Sequence, residues 1–269
     1  MQWNRRNALR ATTAALALGL ASLGANAQTR LSIAASPVPH AEILEFVKPK
    51  LKAQGIDLDI RVFNDYVQPN LAVNDKELDA NFFQHRPYLD AFNKDRKTDV
   101  VEVPNSAVHI EPFGIYSSKI KSLKELKSGA LVAIPNDPSN SGRALALLAQ
   151  QGLIKLKDPK SIQATALDVV DNPRKLRFRE LEAAQLPRAL PDVDIALINT
   201  NYALEAKLNP GKDALALESG VNSAYGNFIA VRKERVNAPE VQKLVAALRS
   251  ADTKKFILDK YKGAVIPAF

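Results

Sequence analysis

Cysteine is absent from the 269 residues. That excludes disulfides, thiolate metal centres and thiol nucleophiles, and leaves no thiol to carry a lipid at a cleavage site. The only tryptophan and the only methionine are Trp3 and Met1, at the very start of the chain. Histidine occurs three times, at His40, His85 and His109, with 44 and 23 residues between them. Those intervals match no compact metal motif, so no metal is expected and no cofactor is implied. A G-x-G-x-x-G, a P-loop, an H-E-x-x-H and a nucleophile elbow are all missing. No Lys/Arg block interleaved with aromatics appears, which argues against nucleic acid. No period of 20–50 residues suggests a solenoid.

What is present begins with an export signal. Trp3 to Arg10 is a basic n-region, Ala11 to Leu23 is apolar but too short and alanine-rich to span a bilayer, and Ala25-Asn26-Ala27 is an A-x-A cleavage site. Residues 1–27 therefore read as a signal peptide, with Sec export slightly preferred to the twin-arginine route. The mature chain from Gln28 would be periplasmic, soluble and monomeric. Removing three arginines and no acid lowers the formal net charge from +8 to +5. That excess is mild and spread along the chain.

From residue 31 the chain alternates strand and helix patterns. Leu31–Ala35 is a strand, and Ile43, Leu44, Val47 and Leu51 form a helical stripe. Ile56, Leu58, Ile60 and Val62 alternate as a second strand. This βαβ unit predicts parallel strands. Further strands are expected near 79–83, 100–103, 131–135, 176–181, 193–198 and 226–231. Val108–Tyr116 is expected as one long strand crossing between lobes. Helices are expected at 64–76, 84–95, 159–170, 182–190 and 239–261.

The central stretch is Leu131 to Leu145. An apolar strand ends at Pro135, Asn136–Ser139 is turn chemistry, and a helix follows with Ser139 or Asn140 as its expected N-cap. That end would offer unpaired N–H groups to an anion. Arg143 would lie in its first turn, against the helix dipole, which suggests a functional guanidinium offering two parallel donors to a carboxylate.

Ligands of open α/β sheets gather at the carboxyl ends of strands. Those ends carry Tyr66, Phe83, His85, Tyr88, Glu111, Asn140, Arg143, Asn199 and Asn201, with Tyr225 and Asn227 leading into the last strand. Rings make an apolar slot, amides can satisfy an ammonium or a carboxylate, and Arg143 can clamp a carboxylate. Those are the needs of a zwitterionic amino acid with an apolar side chain. Asn199 and Asn201, read as alternating at a strand end, would put only one side chain on the ligand.

Six stretches in order resemble one family: Pro37–Leu44, Tyr66–Asn70, Asp79–His85, Val108–Pro112, Asn136–Leu145 and Gly263–Phe269. The family is the NlpA type, the methionine-binding proteins of ATP-binding-cassette importers, and the resemblance spans 30–269. It implies an α/β, two-lobe periplasmic-binding-protein-like (type II) fold with a ligand cleft between the lobes. Residues 28–115 would form the first lobe, 116–222 the second, and 223–269 return to the first. It implies that Arg143 holds the ligand carboxylate, that Tyr66, Phe83, His85 and Tyr88 wall the side-chain slot, and that Asn199 or Asn201 together with Asn227 fix the ligand backbone. The implied function is delivery of L-methionine to the permease and ATPase subunits of an importer. One departure stands out: Ala27-Gln28 occupies the place where most members carry a lipid-bearing cysteine. The alternatives are a hydrolase on the same scaffold using Asp137 or Glu111, or an amino-acid sensor coupled to no importer. A cleft without a paired general acid and base argues against the hydrolase.

Overall fold

Seven residues of β1 (Thr29–Ala35) pair in parallel with β2 (Ile56–Val62), from Thr29 opposite Ile56 to Ala35 opposite Val62. The expected βαβ unit is thus present in the computed structural model, which describes residues 28–269 except 160 and 222. The signal-peptide segment, residues 1–27, lies outside the described residues. Between the strands runs α1 (Glu42–Ala53), whose buried residues are the predicted stripe Ile43, Leu44, Val47 and Leu51. Burying four such side chains contributes roughly 1.5–3 kcal/mol each relative to exposure.

The first sheet has the order β14-β5-β13-β3-β1-β2, with β4 also on β13. Its remaining strands are β3 (Ala80–His85), β4 (Val100–Glu102), β5 (His109–Ile110), β13 (Gly226–Arg232) and β14 (Ile266–Pro267). Helices α2 (Gln68–Asn74) and α3 (Arg86–Arg96) flank β3 in the chain. The second sheet has the order β10-β7-β11-β6-β12. It comprises β6 (Gly114–Tyr116), β7 (Leu131–Pro135), β10 (Arg177–Leu181), β11 (Ile195–Ile198) and β12 (Ala216–Leu217). Its central helix is α4 (Pro138–Gln150), whose Leu145, Leu147 and Leu148 join Val132, Ile134, Ile195 and Leu197 in one core. A separate core under the first sheet joins Leu31, Ile33 and Phe82 to Leu244, Leu248 and Ile257 of the C-terminal helices. No helix among the described residues is long and apolar enough to cross a membrane.

Several local expectations need correction. Val108–Tyr116 is not one strand: β5 belongs to the first sheet and β6 to the second, with Glu111-Pro112-Phe113 between them. Pro112 lacks the N–H that a continuing ladder would need. The 159–170 helix does not form. A small antiparallel pair, β8 (Lys155–Leu156) with β9 (Val169–Asp171), and a 3₁₀ turn at Ala166–Asp168 stand there instead. Only Leu156 and Ala164 of the apolar residues in that region are buried, so no helical face has a core to bind.

The N-cap of α4 is Asp137, not Ser139 or Asn140. Its carboxylate accepts the Asn140 N–H at 2.9 Å, and Pro138 takes the first helical position. Arg143 is therefore in the second turn, beyond the reach of the terminal dipole. The anion at this helix start is the chain's own Asp137.

Candidate functional site

Strand ends from both sheets converge on one narrow cavity of about 20 Å³. Nine of the expected residues line it: Tyr66, Phe83, His85, Tyr88, Asn140, Arg143, Asn199, Asn201 and Asn227. Gln84, Glu111 and Thr200 complete the lining. Tyr225 lies just behind, its ring 3.9 Å from the Arg143 guanidinium carbon and 5.0 Å from the His85 ring.

The apolar wall comes from the first sheet and its helices. Tyr66 lies 5.8 Å from Phe83 and 5.6 Å from Tyr88, ring centre to ring centre. Tyr88 is fixed by its hydroxyl, which donates to the Tyr66 carbonyl at 2.9 Å. His85 caps α3: its Nδ1 accepts the Tyr88 N–H at 3.3 Å, which assigns the proton to Nε2. Burial, aided by the Arg143 charge, lowers the pKa of His85 to about 3, so the ring is neutral.

The polar wall is set by a chain of hydrogen bonds starting at Asp137. The Asn140 amide donates to both Asp137 oxygens at 3.1 and 3.0 Å. Its Oδ1 is thereby turned outward and accepts from His85 Nε2 at 3.3 Å and from Asn199 Nδ2 at 3.0 Å. With its Nδ2 committed, Asn199 keeps a buried Oδ1 that has no partner. Asn201 is set the opposite way. Its Oδ1 accepts the Tyr66 hydroxyl at 2.6 Å, leaving its Nδ2 buried and unpartnered. The expected strand alternation does not apply, because β11 stops at Ile198 and Thr200–Glu205 is helical. Both amides therefore face the cavity.

Asn227 is held by His40 Nε2, 3.0 Å from its Oδ1, and Glu111 Oε1 lies 2.8 Å from His109 Nε2 and 3.3 Å from His40 Nε2. These ligand-type atoms of His40, His109 and Glu111 all fall within 4.8 Å of one another. The sequence intervals concealed that cluster, which β5 and the Pro37–Ala41 turn bring together. Each imidazole Nε2 has an acceptor, so the group works as a hydrogen-bond network that fixes Asn227. Burial lowers His40 to about 4 and His109 to about 3, and raises Glu111.

Arg143 is 3% exposed. Its Nε–H points at both Glu218 oxygens, at 3.1 and 3.2 Å, and its Nη2 donates to Glu218 Oε2 and, at 2.9 Å, to the Glu111 carbonyl. The two parallel donors expected for a ligand carboxylate are thus engaged by Glu218. Among the described residues, no hydrogen bond reaches Nη1. Glu218 was not foreseen; Leu217-Glu218-Ser219-Gly220 carries no motif, and nothing in the sequence links it to Arg143.

Nine of the ten residues expected at the site thus line one cavity, and residues 31–269 match one family profile. The chain belongs to the NlpA lipoprotein family. Members of this NlpA family are non-enzymatic substrate-binding components with a two-lobe fold, so the hydrolase alternative falls away. The chain is 44% identical over 238 residues to the methionine-binding lipoprotein MetQ of Bacillus subtilis, covering 87% of this chain and 86% of that one. It is 47% identical over 214 residues to the D-methionine-binding lipoprotein MetQ of Escherichia coli K12, covering 79% and 78%. Among solved structures, a nutrient binding protein from Burkholderia cenocepacia bound to methionine superposes with a TM-score of 0.85 at 48% identity. That match covers 89% of this chain and all of the other.

Proposed function

We propose that this NlpA-family chain binds methionine, the L-enantiomer foremost, and delivers it to the permease of an ATP-binding-cassette importer. The observation that carries the reading is the set of unmet polar atoms. Asn199 Oδ1 is a buried acceptor suited to an ammonium and Asn201 Nδ2 a buried donor suited to a carboxylate, with the Arg143 guanidinium on the same lining. Buried polar groups left unpaired are costly, about 1–3 kcal/mol each, so a zwitterion that satisfies them gains that amount back on binding. Tyr66, Phe83 and Tyr88 supply the slot for the thioether, whose contacts with rings contribute roughly 0.3–1.5 kcal/mol. The names of the B. subtilis, E. coli and B. cenocepacia relatives support the same ligand.

A cavity of about 20 Å³ is closer in size to a water than to an amino acid, so entry requires the walls to part. The contacts to be broken join the two sheets: Tyr66 with Asn201, His85 with Asn140, and the Tyr202 hydroxyl with the Asn64 carbonyl at 3.2 Å. Glu111–Phe113 lies between β5 of the first sheet and β6 of the second and would act as a pivot. With no cysteine in its 269 residues, the chain would work in the periplasm as a soluble protein, unlike its lipoprotein relatives.

Calorimetric titration tests this directly, since the protein from residue 28 has no tryptophan to report binding. L-methionine should bind at least about tenfold tighter than leucine or glutamate, with D-methionine measured alongside. Equal or tighter binding of glutamate would overturn the assignment.

A further inference from the structure

Arg143 meets the cavity with most of its guanidinium already engaged. Nε and Nη2 point at Glu218 and the Glu111 carbonyl, while Tyr225 covers one face at 3.9 Å and Phe113 lies 5.1 Å away. Glu218 is itself anchored. Its N–H donates to the Phe113 carbonyl at 2.8 Å, and its Oε2 accepts the Phe113 N–H at 3.4 Å. It therefore sits where the segment just after β12 meets the crossing segment after β5, with its side chain largely shielded. A carboxylate held there acts on the cavity in two ways. It fixes which guanidinium edge a ligand can use, and it cancels most of the positive charge that the ligand would feel.

We propose that Glu218 is the positioning residue that sets the ligand charge the site accepts. By pairing with the Nε/Nη2 edge of Arg143, it leaves Nη1 to meet a single carboxylate and favours net-neutral zwitterions over ligands of net negative charge. This rests on the amino-acid-binding reading above and adds to it the reason an anchor built on arginine rejects anions. The local charges agree: Arg143 is balanced by Glu218, the other ionisable groups on the lining are Glu111, a neutral His85, Tyr66 and Tyr88, and just behind it lie Asp137 and a neutral His40. An added negative ligand charge would find no uncompensated cation within this set.

The test compares three thioether ligands of different net charge: 4-(methylthio)butanoate, methionine and methioninamide. Their affinities are measured by competitive calorimetry on wild type, Glu218→Gln, Glu218→Ala and Glu218→Asp, each checked for cooperative melting. In Glu218→Gln or Glu218→Ala, whichever folds, the affinity ratio of the butanoate to the amide should rise at least about tenfold, because removing one negative charge acts oppositely on the two ligands. Glu218→Asp keeps the charge, so its ratio should stay within about threefold of wild type even if all three ligands weaken. A packing role alone would weaken the ligands together and leave the ratio unchanged. A ratio within twofold of wild type in a folded charge-removing variant overturns the assignment, as does an equal rise in Glu218→Asp. Wild type that fails to bind methionine overturns instead the function proposed above.

Discussion

Arg143 lines the cavity for a different local reason from the one its sequence position suggests. The sequence placed it in the first turn of a helix, opposed to the dipole; the structure puts it in the second turn, paired with Glu218. It lines the cavity all the same. Arg143→Ala should weaken methionine binding by about 30-fold to several thousand-fold, the range for truncating one member of a desolvated charged pair. It should also lower stability by about 1–3 kcal/mol, because Glu218 and the Glu111 carbonyl lose their partner. Arg143→Lys should recover only part of either loss, since one ammonium cannot serve Glu218, the carbonyl and a ligand together. Calorimetry and urea unfolding read the two effects separately. Unchanged affinity in the Ala variant would mean that the carboxylate lies elsewhere. The nine cavity-lining residues named from the sequence were legible because eight are ring or amide side chains and one is an arginine, all in stretches that follow or lead into strands. Glu218 was not, because a lone acid in a loop announces a partner only when the fold brings that partner to it.

At the level of elements, apolar period carried the reading where a core demanded it and failed where none did. The α1 stripe and the parallel β1–β2 pair followed from spacing alone, as did strands β7 and β11. The 159–170 segment, with little to bury, became a small antiparallel pair and turns. That segment nonetheless touches α4 at one decisive place. A Cβ on Gly142 would lie 2.7 Å from the Ile162 carbonyl oxygen and 3.0 Å from the Ala164 nitrogen, both backbone atoms. Helix propensity favours alanine over glycine by about 1 kcal/mol, but overpacking against backbone costs about 1–3 kcal/mol. The steric cost should win, so Gly142→Ala should lower the melting temperature by about 2–6 °C. Differential scanning calorimetry checks it, and a raised melting point would show that the 161–164 strap gives way freely. Methionine affinity should fall as well, because Arg143 is the next residue on the same helix.

At the scale of the whole molecule, all three histidines are buried and stay neutral when the chain folds. Burial lowers His40 to about 4 and His85 and His109 to about 3, whereas an unfolded histidine titrates near about 6.5. Between those values the unfolded chain binds protons that the folded chain refuses. Stability from these groups is therefore fully present above about pH 6.5 and is lost as pH falls towards 4 and 3, at about 1.4 kcal/mol per pH unit for each histidine. Glu111 and Asp137 act in the opposite sense. Burial raises both, so between the unfolded and folded carboxyl values the folded chain holds protons that the unfolded chain has released, which offsets part of the loss. The histidine contribution should begin to fall near about pH 6.5 and reach its full slope below about pH 5.5, where the unfolded histidines are protonated. Urea unfolding from pH 7.5 to 5 should give a free energy that is level above about pH 7 and then declines, with up to three protons taken up on unfolding. His40→Gln, whose amide can still donate to Asn227 Oδ1, should remove about one proton from that slope. A level profile down to pH 5 would mean that the histidines are ionised within the fold, and the neutral network described around Glu111 and Asn227 would have to be redrawn.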